Sequence, residues 1–348
     1  MSGAVRFEYS RLRGFIRALF EKAGYEGEKA DATAEVLLEA DLMGHSTHGI
    51  ALAPWYLDGA AKGEVRGSGE PEVLADRGAC VTWNGRRLPG TWLTLKAIDL
   101  GLERARTHGT CTIAIADSHH IGALAAYLPR ATGRGCMAIV ASSSPAVATV
   151  APYGGRVPVM TPDPIGIGIP TDGDPILIDI SATITTNNMA RQLIGEGRRF
   201  PRPWALDRDG RETDDPKAVI GGGGSLLPLG GLDHGHKGYA LGLMVEALTQ
   251  GFGGFGRADS PKGATSSVFV QVMDPAAFAG HAAFTRQTSW LVNACRENPV
   301  RPGVERVRIP GDNAMKRRRA AMEGGVDISS TIVAAIEPYA GRFGLAMP

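Results

Sequence analysis

Eight histidines lie in the 348-residue chain, and six fall in three short-range pairs: His45 with His48, His119 with His120, and His234 with His236. An imidazole titrates close to neutral pH, so a histidine at the end of a regular element suits proton transfer. Histidines at such spacings also suit zinc. Against a metal, the chain has no HExxH, no Cys–His arrangement and no carboxylate at a ligand's offset from a pair. No metal is therefore expected. His48 and His120 stand out by position, because each follows a regular element and is soon followed by a glycine, Gly49 or Gly122. Ser46 and Thr47 put hydroxyls beside His48 that can orient its ring. His45, His119, His234 and His236 read as structural.

Phosphate-binding signatures are weaker. Neither Gly166-Ile167-Gly168 nor the run Gly221–Gly224 sits in the strand–turn–helix context that gives a dinucleotide fingerprint its meaning, and there is no Walker A lysine or GxSxG elbow. A Rossmann or P-loop protein is disfavoured. Lys237, in the segment HKGYALGL, has two readings. It is an anion site at a helix N-terminus, or a solvated lysine in a first turn.

The elements that position these residues follow from periodicity. Leu12, Phe15, Ile16, Leu19 and Phe20 form one stripe of a helix over 10–23, and a second helix through Ala34, Leu37, Leu38 and Leu42 ends at Gly44, just before His45. Leu95, Ile98, Leu102 and Ala105 mark a helix over 92–106. The strand 111–118 opens into Ser118-His119-His120, a helix is expected over about 122–134, and 137–144 is a second strand. Alternating elements with polar residues at strand ends make an α/β pattern. Six prolines between 151 and 175 permit only short strands there, leading into a strand at 175–181. A helix from Lys237 to about Gln250, a strand at 268–274 and two late helices, about 276–297 and 312–323, are expected to close the chain. The expected parts are 1–75, helical with the first histidine motif, 76–310, an α/β core, and 311–348, a helical end.

Composition bounds the partners. Lys plus Arg number 37 and Asp plus Glu 36, a formal net charge of +1, which argues against nucleic acid or a membrane surface as partner. The chain is 43% hydrophobic, and its 47 glycines show no period. Cys80, Cys111, Cys136 and Cys295 are scattered, and no apolar stretch has the length of a signal peptide or membrane span. A reducing cytoplasm is the expected compartment.

Eight segments, in order along nearly the whole chain, give the chain its resemblance: ADLMGHSTHGI (40–50), DSHHIGALAAY (117–127), SSSPAVATVAPYGG (142–155), PDPIGIGIPT (162–171), LIDISAT (177–183), PWALDRDGRETDDP (203–216), SLLPLGGLDHGHKGYALGLMVEAL (225–248) and RIPGDNAMKRR (308–318). The chain resembles the malate/L-lactate dehydrogenase family, which includes ureidoglycolate, sulfolactate and cyclic-imine members. The resemblance implies an α/β fold whose mixed sheet, of non-Rossmann topology, binds a nicotinamide cofactor between helical N- and C-terminal parts. It also implies NAD, with NADP as the alternative, a small-molecule substrate and a homodimer.

Carried over residue by residue, His48 matches the family's proton donor in imine-reducing members, Thr47 keeps the hydroxyl of its relay serine, and His120 matches the acid/base of ureidoglycolate members. Between the two histidines, His120 is preferred as the alcohol base. Asp179, Ile180 and Ser181 match a cofactor-contacting segment, Lys237 and Gly238 a Lys-Gly-Tyr motif, and Gly311, Asp312 and Asn313 a late Pro-Gly-Glu loop. Ser143 or Ser144 falls where a substrate or cofactor contact is expected. Three departures fall on the substrate side. Leu52 stands where the family has a carboxylate-gripping arginine, Thr161-Pro162-Asp163-Pro164 replaces Gly-Thr-Asn-Pro, and the Asn/Arg pattern near 262–267 is missing. The expected activity is hydride transfer between nicotinamide and C2 of a small 2-hydroxy or 2-oxo acid. The rivals are reduction of 2-imino acids, a cofactor-binding protein without catalysis, and a histidine-ligated metal enzyme.

Overall fold

The computed structural model describes residues 3–348. In chain order the strands and helices are β1 (Ala4–Phe7), α1 (Tyr9–Lys22), α2 (Gly27–Met43), α3 (Ala53–Ala61), β2 (Glu72–Asp76), β3 (Cys80–Asn84), α4 (Gly90–His108), β4 (Thr110–Ser118), α5 (Leu128–Thr132), β5 (Met137–Ser143), β6 (Ile165–Ile169) and β7 (Ile176–Ile180). There follow α6 (Asn187–Gly195), β8 (Ala205–Leu206), β9 (Glu212–Thr213), β10 (Ser225–Leu226), α7 (Gly231–Glu246), β11 (Ser266–Met273), α8 (His281–Arg296), α9 (Asp312–Gly324), β12 (Val326–Ser329) and α10 (Ser330–Phe343).

Seven strands form the central sheet in the order β2-β3-β4-β11-β5-β6-β7. Only β3 and β4 pair in parallel, and α4 is the crossover that such a pair requires. All other neighbours run antiparallel. This is the mixed, non-Rossmann sheet the resemblance implies. Alternate antiparallel pairing through β11 and β6 brings the C-terminal ends of β4, β5 and β7 to one edge, so Ser118-His119-His120, Ser143-Ser144 and Ile180-Ser181 meet there. Ligands of open α/β sheets gather at that edge.

Helix α1 buries the predicted stripe, and its N-terminus is capped by the Glu8 carboxylate, which accepts from Ser10 N and Arg11 N. Helix α2 stops at Gly44 in the left-handed conformation, φ +88°. These two helices share one core with α3, β1, β12 and α10. A second core lies between α4 and the sheet, where Ile113, Val140 and Val270 are fully buried, and a third packs α6 against β8 and β10.

Three expected elements differ. The helix over about 122–134 is a 3₁₀ turn, Leu124–Tyr127, followed by the short α5, because Gly122 at φ +71° and Pro129 in the first turn of α5 break up one long helix. The helix expected to begin at Lys237 begins six residues earlier, after Gly230 in the left-handed conformation, and kinks at His234. The chain closes with a third late helix, α10, preceded by β12, which pairs with β1.

Candidate functional site

Two imidazoles face one cavity of about 770 Å³ at that sheet edge. Their ring centroids lie 6.1 Å apart, with planes inclined by 26°. His48 is delivered by the loop that leaves α2, and His120 by the turn that leaves β4. Each ring has a hydroxyl at Nδ1: Thr47 Oγ1 lies 2.9 Å from His48 Nδ1, and Tyr56 Oη lies 2.7 Å from His120 Nδ1.

The second contact of each ring settles where its lone pair lies. Gly122 N–H donates to His120 Nδ1 at 3.2 Å, so that nitrogen is an acceptor and the neutral ring carries its proton on Nε2. Arg191 Nη1 donates to Asn188 Oδ1 at 3.2 Å, which turns the amide so that Nδ2 faces His48 Nε2 at 3.3 Å. His48 Nε2 is thus the acceptor, and its neutral ring is protonated on Nδ1, beside Thr47. Burial pulls His120 well below the ordinary histidine value, with His48 and His119 adding to the effect. Burial also lowers His48, opposed by the nearby Asp179 carboxylate.

Both loops are braced from behind. Asp41 Oδ2 accepts from Ile50 N at 2.7 Å, and burial pushes this carboxyl up to about 7. A Cβ on Gly49 would meet the same carboxylate at 2.4 Å, so only glycine lets the His48 loop lie against it. Trp55 packs edge-on against His120, at 5.2 Å between centroids.

A second cavity of about 490 Å³ adjoins the first, with His45, Asp179 and Ile180 lining both. At this end lie Gly311, Asn313, Arg308 and Arg317. Neither arginine is in an ion pair among the described residues. The joined cleft suits an elongated molecule with an apolar, aromatic end and an anionic one. Ile180 is 43% exposed on its wall, and the buried Asn187 Oδ1 on the same lining has no hydrogen-bond partner among the described residues.

The predicted residues divide as follows. His48, His120, Thr47, Ser143, Ser144, Asp179, Ile180 and Ser181 line the first cavity, and Gly311 and Asn313 the second. Asp179 Oδ2 is taken by Ala125 N at 2.8 Å. Ser143 faces inward to a buried network, donating to Glu246 Oε1 at 3.0 Å and accepting from Gln250 Nε2 at 2.8 Å, while Arg257 pairs with Glu246 at 2.6 Å. Asp312 holds its own loop, accepting from Ile309 N and Arg296. Lys237 and Gly238 line neither cavity. Lys237 is exposed, and Gly238 is where α7 passes the chain so closely that a Cβ would lie 2.3 Å from Leu229 N. Of the four histidines read as structural, His119 is 1% exposed and packed edge-on to Tyr56, His234 and His236 are exposed, and His45 lines the cleft. No group of three metal-ligating side chains exists among the described residues.

The sequence reading passed over Tyr56, Trp55, Asp41, Asn188 and the placement of Arg191. Tyr56 had a usable signal, since it follows His48 by eight residues on the next helix. Asn188 and Arg191 had none, because α6 reaches His48 from 140 residues away.

The site thus combines a mixed sheet of non-Rossmann topology with two hydroxyl-anchored histidines beside a long cleft. The malate/L-lactate dehydrogenase family model matches residues 7–337, and the chain belongs to that family of dehydrogenases acting on 2-hydroxy acids. It is 30% identical over 355 residues to an L-lactate dehydrogenase of Cupriavidus necator, covering 99% of each chain. To a Delta(1)-pyrroline-2-carboxylate/Delta(1)-piperideine-2-carboxylate reductase of Pseudomonas syringae pv. tomato it is 32% identical over 347 residues, covering 96% of each. The fold is that of a malate dehydrogenase of Entamoeba histolytica, with a TM-score of 0.94, 21% identity and 99% of each chain covered.

Proposed function

We propose that this protein transfers hydride between a nicotinamide dinucleotide and C2 of a small 2-hydroxy or 2-oxo acid. The observation that carries the proposal is the pair of neutral imidazoles whose lone pair and N–H lie on opposite partners. His120, held as the Nε2–H form, donates to the substrate oxygen and polarises it. His48 exchanges the proton at Nε2, where Asn188 now sits, and Thr47 holds the ring through Nδ1 in both charge states. This assignment reverses the preference for His120 as the base, because the fixed Gly122 N–H leaves its Nδ1 no room for a proton.

The bound dinucleotide supplies or accepts the hydride. Asp179, Ile180 and Ser181 would hold its nicotinamide end, and Asn313, Arg308 and Arg317 its phosphates. Unpaired arginines at that end supply the basic group a 2′-phosphate needs, so NADP is tested beside NAD. A homodimer belongs to the same proposal, supported by the exposed apolar residues Leu243, Met244 and Phe252 on and just beyond α7. No helix among the described residues is long and apolar enough to cross a membrane.

The test is oxidation of NADH and of NADPH by the purified protein against 2-oxo acids, with and without methylamine. Turnover without amine supports the proposal. Turnover only with amine moves the activity to 2-imino acids, the reaction named for the Pseudomonas relative. Cofactor binding without any turnover overturns both.

A further inference from the structure

A 2-oxo acid brings a carboxylate to a site whose two histidines are half-buried, and an anion drawn out of water needs a cation or several N–H donors. The position from which the family's arginine would supply that charge is Leu52, which is 7% exposed and packed among Ile50, Ala53 and Tyr56 in the N-terminal core. Across the cavity stands a different cation. Arg191, in the second turn of α6, is the only lysine or arginine lining the cavity that holds both histidines, among the described residues. Arg191 is exposed, and it forms no ion pair among the described residues. Among the described residues its one side-chain hydrogen bond is to Asn188 Oδ1, and Asn188 in turn reaches His48 Nε2.

We propose that Arg191 replaces the missing arginine as the carboxylate anchor, and that because it stands alone the preferred substrate is a 2-oxo or 2-hydroxy monocarboxylate with an apolar side chain. The inference rests on the hydride-transfer reading above.

Distance supports a carboxylate over a cofactor phosphate. Arg191 lies two hydrogen bonds from the imidazole that takes the proton, and in a 2-oxo acid the carboxylate is bonded directly to the reacting carbon. A 2′-phosphate is separated from the nicotinamide by both riboses and the pyrophosphate, and the arginines suited to it are at the other end of the cleft. Asn188 gives the arrangement a further use: the guanidinium fixes the amide, and the amide fixes the lone pair of His48.

Charge counting then selects the substrate. A malate- or sulfolactate-like molecule carries a second anion, and among the described residues no second arginine or lysine lines this cavity to receive it. Leu52, Trp55 and Val147 line it instead, surfaces that accept alkyl or aryl groups and reject a second charge.

The experiment compares the whole enzyme with Arg191→Gln and Arg191→Lys, using pyruvate, 2-oxobutanoate, oxaloacetate and methyl pyruvate as substrates. In parallel, calorimetry follows oxamate binding to the NADH-loaded protein. Arg191→Gln is expected to weaken oxamate binding and raise the KM for pyruvate by about ten- to a hundredfold, the worth of one charged hydrogen-bonded pair. The KM for NADH should not move, the loss with methyl pyruvate, which has no carboxylate to anchor, should be confined to kcat and be smaller than that with pyruvate, and Arg191→Lys should recover part of the loss with pyruvate. Wild type should prefer 2-oxobutanoate to oxaloacetate in kcat/KM. An unchanged oxamate affinity in Arg191→Gln overturns the anchor, as does a rise confined to the KM for NADPH. A preference for oxaloacetate overturns the monocarboxylate assignment. Wild type without turnover, but with Arg191-dependent oxamate binding, refutes the hydride-transfer reading and leaves the anchor standing. Turnover with Arg191-independent oxamate binding does the reverse.

Discussion

The Tyr56 hydroxyl lies 2.7 Å from His120 Nδ1 and 3.3 Å from the His120 carbonyl oxygen, so it donates to one and can rotate to the other. Tyr56 is buried and burial holds its own pKa well above the ordinary tyrosine value, so it stays protonated and acts as a hydrogen-bonding group rather than a base. It orients His120. Tyr56→Phe keeps the ring packing and removes only that hydroxyl. The expected result is a fall in kcat of roughly fivefold, the worth of a neutral hydrogen bond, with the cofactor KM unchanged. A pH profile that does not move, together with unchanged kcat, would remove Tyr56 from the mechanism.

Separate replacement of the two histidines tests the division of labour. His48→Ala is expected to lower kcat by about 10²–10⁴-fold, the span for losing a general acid/base. His120→Gln keeps an N–H donor near the substrate oxygen and should retain more activity than His120→Ala. If His120→Gln is as poor as His120→Ala while His48→Ala loses less than tenfold, the proton belongs to His120. Steady-state kinetics with the preferred acid, measured across pH 5–9, decide between them.

What the sequence shows of this site follows how local each feature is. His48 with Thr47, and His120 at a strand end, are signalled by neighbours within a few residues, and the fold sets the two rings beside one cavity. Tyr56 and His120 are 64 residues apart, so their contact needs the fold. Asn188 and Arg191 come from a nine-residue helix in a loop-rich stretch, where nothing local points to His48. The glycine-rich approach to Lys237 hides a helix that starts at Gly231, and Pro338 inside α10 hides that helix. The β1–β12 pair joins residues more than three hundred positions apart, beyond any periodicity argument.

His119 gives a pH dependence of stability. It is buried against Tyr56 and Trp55, its Nε2 has no hydrogen-bond partner among the described residues, and burial pulls its pKa down to about 4. An unfolded chain binds that proton near pH 6.5, whereas the folded chain waits until about 4. The unfolded state therefore holds more protons in that window, and the stability present above pH 6.5 is lost as the pH falls towards 4. Between pH 7 and pH 5 this one group costs about 2 kcal/mol. His119→Leu should flatten the loss by about that amount, read from urea unfolding at the two pH values. Equal slopes in variant and wild type would assign the acid sensitivity elsewhere.

Asp163 predicts the opposite slope. It stands where the family has asparagine, it is fully buried, and its backbone is left-handed at φ +46°, a conformation asparagine and aspartate tolerate better than most residues. Thr161 Oγ1 donates to Oδ1 at 2.6 Å, and Oδ2 has no hydrogen-bond partner among the described residues. Burial, with the nearby Glu246 carboxylate adding to it, holds this acid well above the usual range, opposed by Thr161 and Arg257. The unfolded carboxyl releases its proton near the ordinary value while the folded one keeps it. Stability is thus full below that value and declines as the pH rises towards the folded pKa. Asparagine has the same shape and no proton to lose. Asp163→Asn is expected to match wild type at pH 4 and to exceed it by roughly 1–3 kcal/mol at pH 8, the cost of an uncompensated buried polar group. Because Asp163 is fully buried and lines neither cavity, the variant should retain turnover. Denaturant unfolding at both pH values checks the sign, and a variant less stable than wild type at pH 8 would show that the ionised carboxylate is needed.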